Sequence, residues 1–259
     1  MSFAKHSREL EARWKGRRGR GLVICGQVGS THHLGRRLAR EYISEGGSPP
    51  PADIFAWEQS ESVGRHGRSW SSPRGAGVYA TLVRPLDEAP LQLLPLQVAV
   101  SLCQTLNGLL DDRCRLKWPN DLVCNSRKLG GILIDSFSRG DGPPVAVISF
   151  GVNHSRDLDA LGEPAATSLL AEGSPPVGLA ELTDRLVADL DRRLSDTDGD
   201  VVPTYRDLSA HRPGEALVCR HGDETICGRF RGIDPQGFLL LEVEGEERRL
   251  AAGDIESHG

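Results

Sequence analysis

Lysine is scarce in this 259-residue chain: only Lys5, Lys15, Lys117 and Lys128 stand among 31 basic residues, and the rest are arginine. A coding bias toward arginine accounts for most of that, but it draws attention to the two interior lysines. The six cysteines (Cys25, Cys103, Cys114, Cys124, Cys219, Cys227) form no Cys-x-x-Cys pair, and several sit in apolar runs such as Leu22-Val23-Ile24-Cys25. This excludes a zinc ribbon or a disulfide frame and reads as buried small hydrophobes of a reducing, cytoplasmic protein. No segment approaches the roughly 18 apolar residues of a membrane span. Residues 1–21 lack the apolar core and cleavage site of a secretory signal. A net charge of −5 argues against binding nucleic acid through overall charge. The eight histidines give no metal-ligand spacing, and there is no P-loop or Gly-x-Ser-x-Gly elbow.

With 38% hydrophobic and 26% charged residues, the chain is an ordinary globular protein, long enough for one large domain or a large and a small one. Residues 13–20, basic and broken by glycine, predict a mobile terminus, with a nucleic-acid tail as the other reading. Only about twenty residues precede the first strand-like run, too few for a helix-turn-helix domain. Apolar spacing predicts helices through Leu34–Ile43, Leu94–Leu106 and Leu179–Leu194. Strand-like runs fall at 22–25, 54–59, 78–83, 115–118, 122–124, 131–135 and 145–152. After His211-Arg212-Pro213-Gly214 only short β runs remain (216–219, 225–231, 238–243, 248–251), spaced by turns as in a small barrel. The expected organisation is a mobile segment 1–20, a catalytic domain 21–211 and a small β domain 212–259.

Four stretches could carry chemistry. Gly64-Arg65-His66-Gly67-Arg68-Ser69-Trp70 places two arginine forks in a glycine-rich loop, suited to phosphate or carboxylate, with Trp70 as an anchor; a solvated basic loop is the alternative. Lys117-Trp118-Pro119-Asn120-Asp121 is a turn that gathers a lysine, an amide and a carboxylate where a strand emerges, or simply a turn. In Arg127-Lys128-Leu129-Gly130-Gly131-Ile132-Leu133, a two-residue turn at Asn125-Ser126 would set residue 123 opposite 128 and 121 opposite 130. Asp121 and Lys128 would then share a face, unless the register slips. Ser149-Phe150-Gly151-Val152-Asn153 ends an apolar strand on an amide.

In this order the motifs resemble those of biotin protein ligases. That family shows Ser-Thr-Asn, a glutamine, a Gly-Arg-Gly-Arg-x-Gly-Arg-x-Trp loop, Lys-Trp-Pro-Asn-Asp, Arg-Lys-(Ala/Gly)-Gly-Ile-Leu and Gly-x-Asn. The Gly232-Ile233-Asp234-Pro235-Gln236-Gly237-Phe238-Leu239-Leu240-Leu241 stretch near the end resembles its C-terminal module. The resemblance implies an α+β fold, a mixed β-sheet with helices of the class II synthetase type, plus a small C-terminal SH3-like barrel. It implies a short form without an N-terminal DNA-binding domain, no DNA or membrane partner, and a family that includes both homodimers and monomers. The implied reaction joins biotin and ATP into biotinyl-AMP and passes biotin to a lysine of a biotin carboxyl carrier domain; a related lipoate or octanoate acyltransferase, or a biotin-binding homologue with impaired catalysis, is the alternative.

Carried over by motif, Ser30, Thr31 and Gln59 would bind the ureido ring, with Trp118, Gly131 and Gly151 along the rest of biotin. Arg65, Arg68 and Trp70 would hold carboxylate and nucleotide. Lys128 would bridge carboxylate and α-phosphate, and Asp121 would orient or deprotonate the incoming lysine. Asn120 and Asn153 would contact phosphate or Mg2+, which is expected on the ATP phosphates and not in a protein cluster. The chain departs from the pattern at Ser62-Val63, where the family has Gly-Arg, and at His32, where it usually has asparagine.

Overall fold

The computed structural model describes residues 2–17, 19–45, 47, 49–86, 91–138, 143–155, 157, 165–195 and 201–256. Seven strands form one mixed sheet: β1 (Gly21–Cys25), β2 (Ala52–Ala56), β3 (Gly77–Pro85), β4 (Cys114–Lys117), β5 (Asp121–Cys124), β6 (Arg127–Phe137) and β7 (Val145–Asn153). Their spatial order is β1-β2-β3-β7-β6-β5-β4, with β1 and β2 parallel and every other pair antiparallel.

One face carries α2 (Thr31–Ser44), whose Ala39 meets Val83, Val145 and Val147. The other face carries α3 (Leu94–Leu110) and α4 (Leu179–Ser195), packed on Leu82, Ile148 and Phe150 in the main core. Alternation along a strand explains where a cavity can open. On β7 the residues facing α2 run Val145, Val147, Ser149, Gly151 and Asn153. The apolar half lies under the helix, and the half without apolar bulk lies beyond its N-terminus. Gly35 lets α2 sit this low: a Cβ there would come within 2.6 Å of Thr81 Cγ2.

The N-terminal segment differs from the expectation of a mobile tail. Residues Phe3–Trp14 form α1, with His6, Leu10 and Trp14 buried at four-residue spacing. The basic run that follows docks on α4: Arg17 pairs with Asp184 at 2.7 Å and Arg20 with Asp191 at 2.5 Å. Met1 and Arg18 of that segment lie outside the described residues.

After α5 (Val201–Asp207), five strands β8 (Ala216–His221), β9 (Glu224–Ile233), β10 (Leu239–Val243), β11 (Glu246–Leu250) and β12 (Asp254–Ile255) form an antiparallel sheet in the order β11-β10-β9-β8-β12. The expected small barrel is not closed: among the described residues, β11 and β12 remain the two edges of an open sheet. Residues 257–259 lie outside the description. No helix of the described residues is long and apolar enough to cross a membrane.

Candidate active site

A cavity of about 390 Å³ opens over the polar end of the α2 face. The thirteen residues singled out in the sequence all line it: Ser30, Thr31, Gln59, Arg65, Arg68, Trp70, Trp118, Asn120, Asp121, Lys128, Gly131, Gly151 and Asn153.

Its inner end is neutral and polar. Ser30 caps α2, accepting from the His33 amide at 3.4 Å. The Thr31 amide and hydroxyl both donate to Gln59 Oε1, at 2.8 and 3.0 Å, and Gln59 Nε2 donates to Ser72 Oγ at 2.9 Å. Ser72 Oγ lies 3.0 Å from Ser62 Oγ, which in turn donates to the Trp70 carbonyl. Ser62 therefore acts as a brace at the base of the Gly/Arg loop.

That loop is a tight hairpin. Val63 bridges Ser69, Gly64 N donates to Arg68 O at 2.6 Å, and Trp70 N donates to Ser62 O. Trp70 anchors it. Gly131 and Gly151 are cross-strand partners, and a Cβ on Gly151 would come within 2.9 Å of the Trp70 indole and one on Gly131 within 3.2 Å. The two glycines thus make a shelf on which the ring lies, with its buried Nε1 lacking a hydrogen-bond partner among the described residues.

The Asn125-Ser126 turn is the expected two-residue hairpin, with both residues at positive φ. The register beyond it differs. A bulge makes Leu129 the extra residue, so Asp121 faces Gly131 and not Gly130. Leu129 is fully buried, which draws it into the core. Even so, Lys128 Nζ reaches Asp121 Oδ1 at 2.8 Å and lies 5.3 Å from the Trp70 ring centroid. The Lys128 backbone is pinned on both sides, its amide donating to Ala165 O and its carbonyl accepting from Thr167 N, each at 2.8 Å. Lys117, opposite Asp121 on β4, adds a third side chain to this group. Burial pulls its ammonium below the ordinary lysine range, and Asp121 opposes that.

The two asparagines act first as struts. Asn153 Nδ2 donates to Thr167 O at 2.9 Å and to Lys128 O at 3.5 Å, which commits both amide protons. What remains for a ligand is its oxygen, an acceptor suited to a cation and not to phosphate. Asn120 Nδ2 donates to Ile132 O at 2.8 Å. Trp118 is buried and donates to Gly237 O at 3.2 Å, so it ties the cavity wall to the C-terminal sheet.

The sequence reading missed Asp254. From β12 its carboxylate reaches Arg65 Nη1 at 3.1 Å and Arg68 Nη2 at 2.8 Å, while Arg65 also donates to Gly253 O at 3.0 Å. One carboxylate holds two guanidinium groups against the cavity mouth and leaves other N–H groups of each fork for an anion. Asp254 lies 189 positions from Arg65 in the chain, so no local pattern could have revealed it.

The fold and the site together define a class. Over 91% of this chain and 97% of the other, the structure superposes on the biotin protein ligase from Aquifex aeolicus in complex with biotin and ATP, with TM-score 0.71 and 21% identity. Residues 28–153 match the Biotin/lipoate A/B protein ligase family, and 217–257 match the Biotin protein ligase C terminal domain. The biotin–[acetyl-CoA-carboxylase] ligase of Paracoccus denitrificans is 31% identical over 212 residues, 78% of this chain and 88% of that one. The chain belongs to the biotin protein ligase family. The bifunctional ligase/repressor BirA of Escherichia coli is also 31% identical, over 206 residues; that match covers 76% of this chain and 63% of BirA's own length.

Proposed function

We propose that the protein activates biotin with ATP and transfers it to a lysine of a carrier domain of a biotin-dependent carboxylase. The observation that carries this reading is the polarity of one cavity: a neutral hydroxyl-and-amide end at Ser30, Thr31 and Gln59, and a cationic end at Arg65, Arg68 and Lys128. A cyclic urea on an acyl chain ending in a carboxylate has the same polarity. In the first step the biotin carboxylate attacks the α-phosphate of ATP, an acyl–phosphate bond forms, and pyrophosphate leaves. Both reactants are anions, so the lysine and arginines supply positioning and charge stabilisation in the transition state. In the second step a neutral lysine amine of the carrier attacks the acyl carbon and AMP departs; Asp121 is the group placed to orient that amine and take its proton.

Magnesium is expected with the triphosphate. Among the described residues there is no cluster of three or more acids, histidines or cysteines. The cavity's carboxylates Asp121 and Asp254 are both ion-paired. The residues fit a metal carried by ATP phosphates, to which the side-chain oxygens of Asn120 and Asn153 would be the neutral protein ligands at hand.

Mass spectrometry of a biotin carboxyl carrier domain tests the reading. One biotin per carrier, dependent on ATP, is the expected result; an unmodified carrier with all components present contradicts it.

Two variants probe the loop. D254A removes the carboxylate that orders Arg68 and helps order Arg65, which keeps its bond to Gly253 O, so it should raise KM for ATP by about 2- to 10-fold, the cost of ordering one long side chain. A lower KM would mean that the carboxylate competes with ligand. V63R restores the cation that the family carries beside these arginines. A hydrogen bond to a charged group contributes about 1.5–3 kcal/mol, so V63R should slow release of the adenylate by about 10- to 100-fold. Unchanged release would show that the valine costs nothing.

A further inference from the structure

A row of polar groups crosses the floor of the cavity. Asp135 Oδ2 on β6 lies 3.2 Å from His32 Nε2, and His32 Nδ1 lies 2.8 Å from Ser149 Oγ. Ser149 Oγ is 2.8 Å from Thr81 Oγ1, which is 2.9 Å from Thr31 Oγ1, the hydroxyl beside Gln59. His32, Thr31, Thr81 and Ser149 are all buried.

Each hydroxyl owns one proton, so the four links from Gln59 to His32 are either all filled, with the imidazole as a donor, or left with one open. In the first, Thr31 donates to Gln59, Thr81 to Thr31, Ser149 to Thr81 and His32 Nδ1–H to Ser149. Nε2 then needs a proton of its own to meet the Asp135 carboxylate, so this direction belongs to the imidazolium. In the second, a neutral imidazole gives Nε2–H to Asp135 and accepts from Ser149 at Nδ1. The open link can then sit at Thr31–Gln59, with Thr81 donating to Ser149 and Thr31 to Thr81. Gln59 Oε1 now receives only the Thr31 amide, and the Thr31 oxygen keeps both lone pairs for a ligand.

Resting on the biotin reading, we propose that His32 is a specificity-determining positioning residue: its protonation decides whether the hydroxyl row is filled throughout or keeps one open link, and so how many acceptors Thr31 and Gln59 can offer to the N–H groups of a cyclic urea. The charged or titratable groups facing it are Asp135 on β6 and Arg36 and His33 on its own helix, while β3 and β7 present the hydroxyls of Thr81 and Ser149. Burial holds the imidazole below its ordinary range, with Arg36 and His33 reinforcing this and Asp135 opposing it. Near neutral pH the row therefore has one open link; without ligand it lies between Thr81 and Ser149, since Thr81 donates to Thr31 and Thr31 to Gln59, and a ligand N–H can move it to Thr31–Gln59. Asparagine, usual in the family here, does not titrate.

The test is the Kd for biotin between pH 7.5 and 5.5, where its carboxylate stays ionised, in the native protein, H32N and S149A. As pH falls, the native Kd should rise about fivefold more than in either variant, the low end of ordinary coupling between two sites. By reciprocity, biotin should move the NMR titration of the native His32 imidazole to lower pH, a readout that needs no variant to fold. Equal pH dependence in all three proteins, or an imidazole titration that ignores bound biotin, overturns the role of His32 and leaves the biotin reading intact. No saturable biotin binding at any pH overturns both.

Discussion

Replacing Lys128 with alanine should lower biotin-dependent ATP–pyrophosphate exchange at least about a hundredfold, the usual cost of deleting one preorganised group that meets developing charge. Biotin should still bind, because on the proposed reading its ring is held away from Lys128, by Thr31 and Gln59. The loss should therefore fall on kcat more than on KM for biotin. The geometry supports this expectation in two ways. The Lys128 backbone is pinned between Ala165 and Thr167, and its ammonium is held by Asp121 at 2.8 Å. The point charge is thus fixed before ligand arrives. Arginine is a poor substitute, since its planar fork does not occupy the space of an ammonium; K128R should recover little. A K128A protein with exchange within tenfold of native would remove the lysine from the mechanism.

The largest expected effect on stability lies away from the cavity. Asp53 is fully buried on β2 and accepts from Trp14 Nε1 at 2.7 Å and from Arg84 Nη2 at 2.6 Å. Arg84 is itself buried; its Nε donates to Asp191 at 3.0 Å and its Nη1 to Ala52 O and Val83 O. D53A leaves a buried guanidinium short of a partner and an indole N–H unpaired. Breaking one side of a buried pair costs about 3–5 kcal/mol, a large part of the roughly 5–15 kcal/mol that holds a domain together. For a chain of this size the melting temperature should fall by about 6–20 °C. The surface pair Arg185–Glu181 on α4 is the control: R185A should cost less than about 1 kcal/mol. Thermal or urea unfolding of the two variants checks both numbers. A D53A protein as stable as R185A would mean that the buried cluster is spectator charge.

Much of the site was legible because each motif is local. The glycine/arginine hairpin, the Lys117–Asp121 turn and the Lys128 strand each lie within a few residues, and β pairing then gathers them at one sheet end. The unread parts depend on long-range contacts. Asp254 belongs to a two-residue strand and acts on a loop at the far end of the sequence. The Leu129 bulge is set by burial of one side chain, which turn chemistry at Asn125-Ser126 does not foretell. Helix α1 is different, since its signal was present. His6, Leu10 and Trp14 recur every four residues, and Asp184 and Asp191, seven apart on α4, are the acidic face that receives Arg17 and Arg20. Read alone, the basic run at 13–20 looked like a tail because its partners lie about 170 residues away.

The most direct test of the central claim is ATP–pyrophosphate exchange by the native protein with biotin, with lipoate and with no acid. The proposed function predicts exchange with biotin and none above background with lipoate or without acid, because Ser30, Thr31 and Gln59 present hydroxyls and an amide that suit a hydrogen-bonding ring head. Exchange supported by lipoate in place of biotin, or no exchange despite measurable biotin binding, would contradict it.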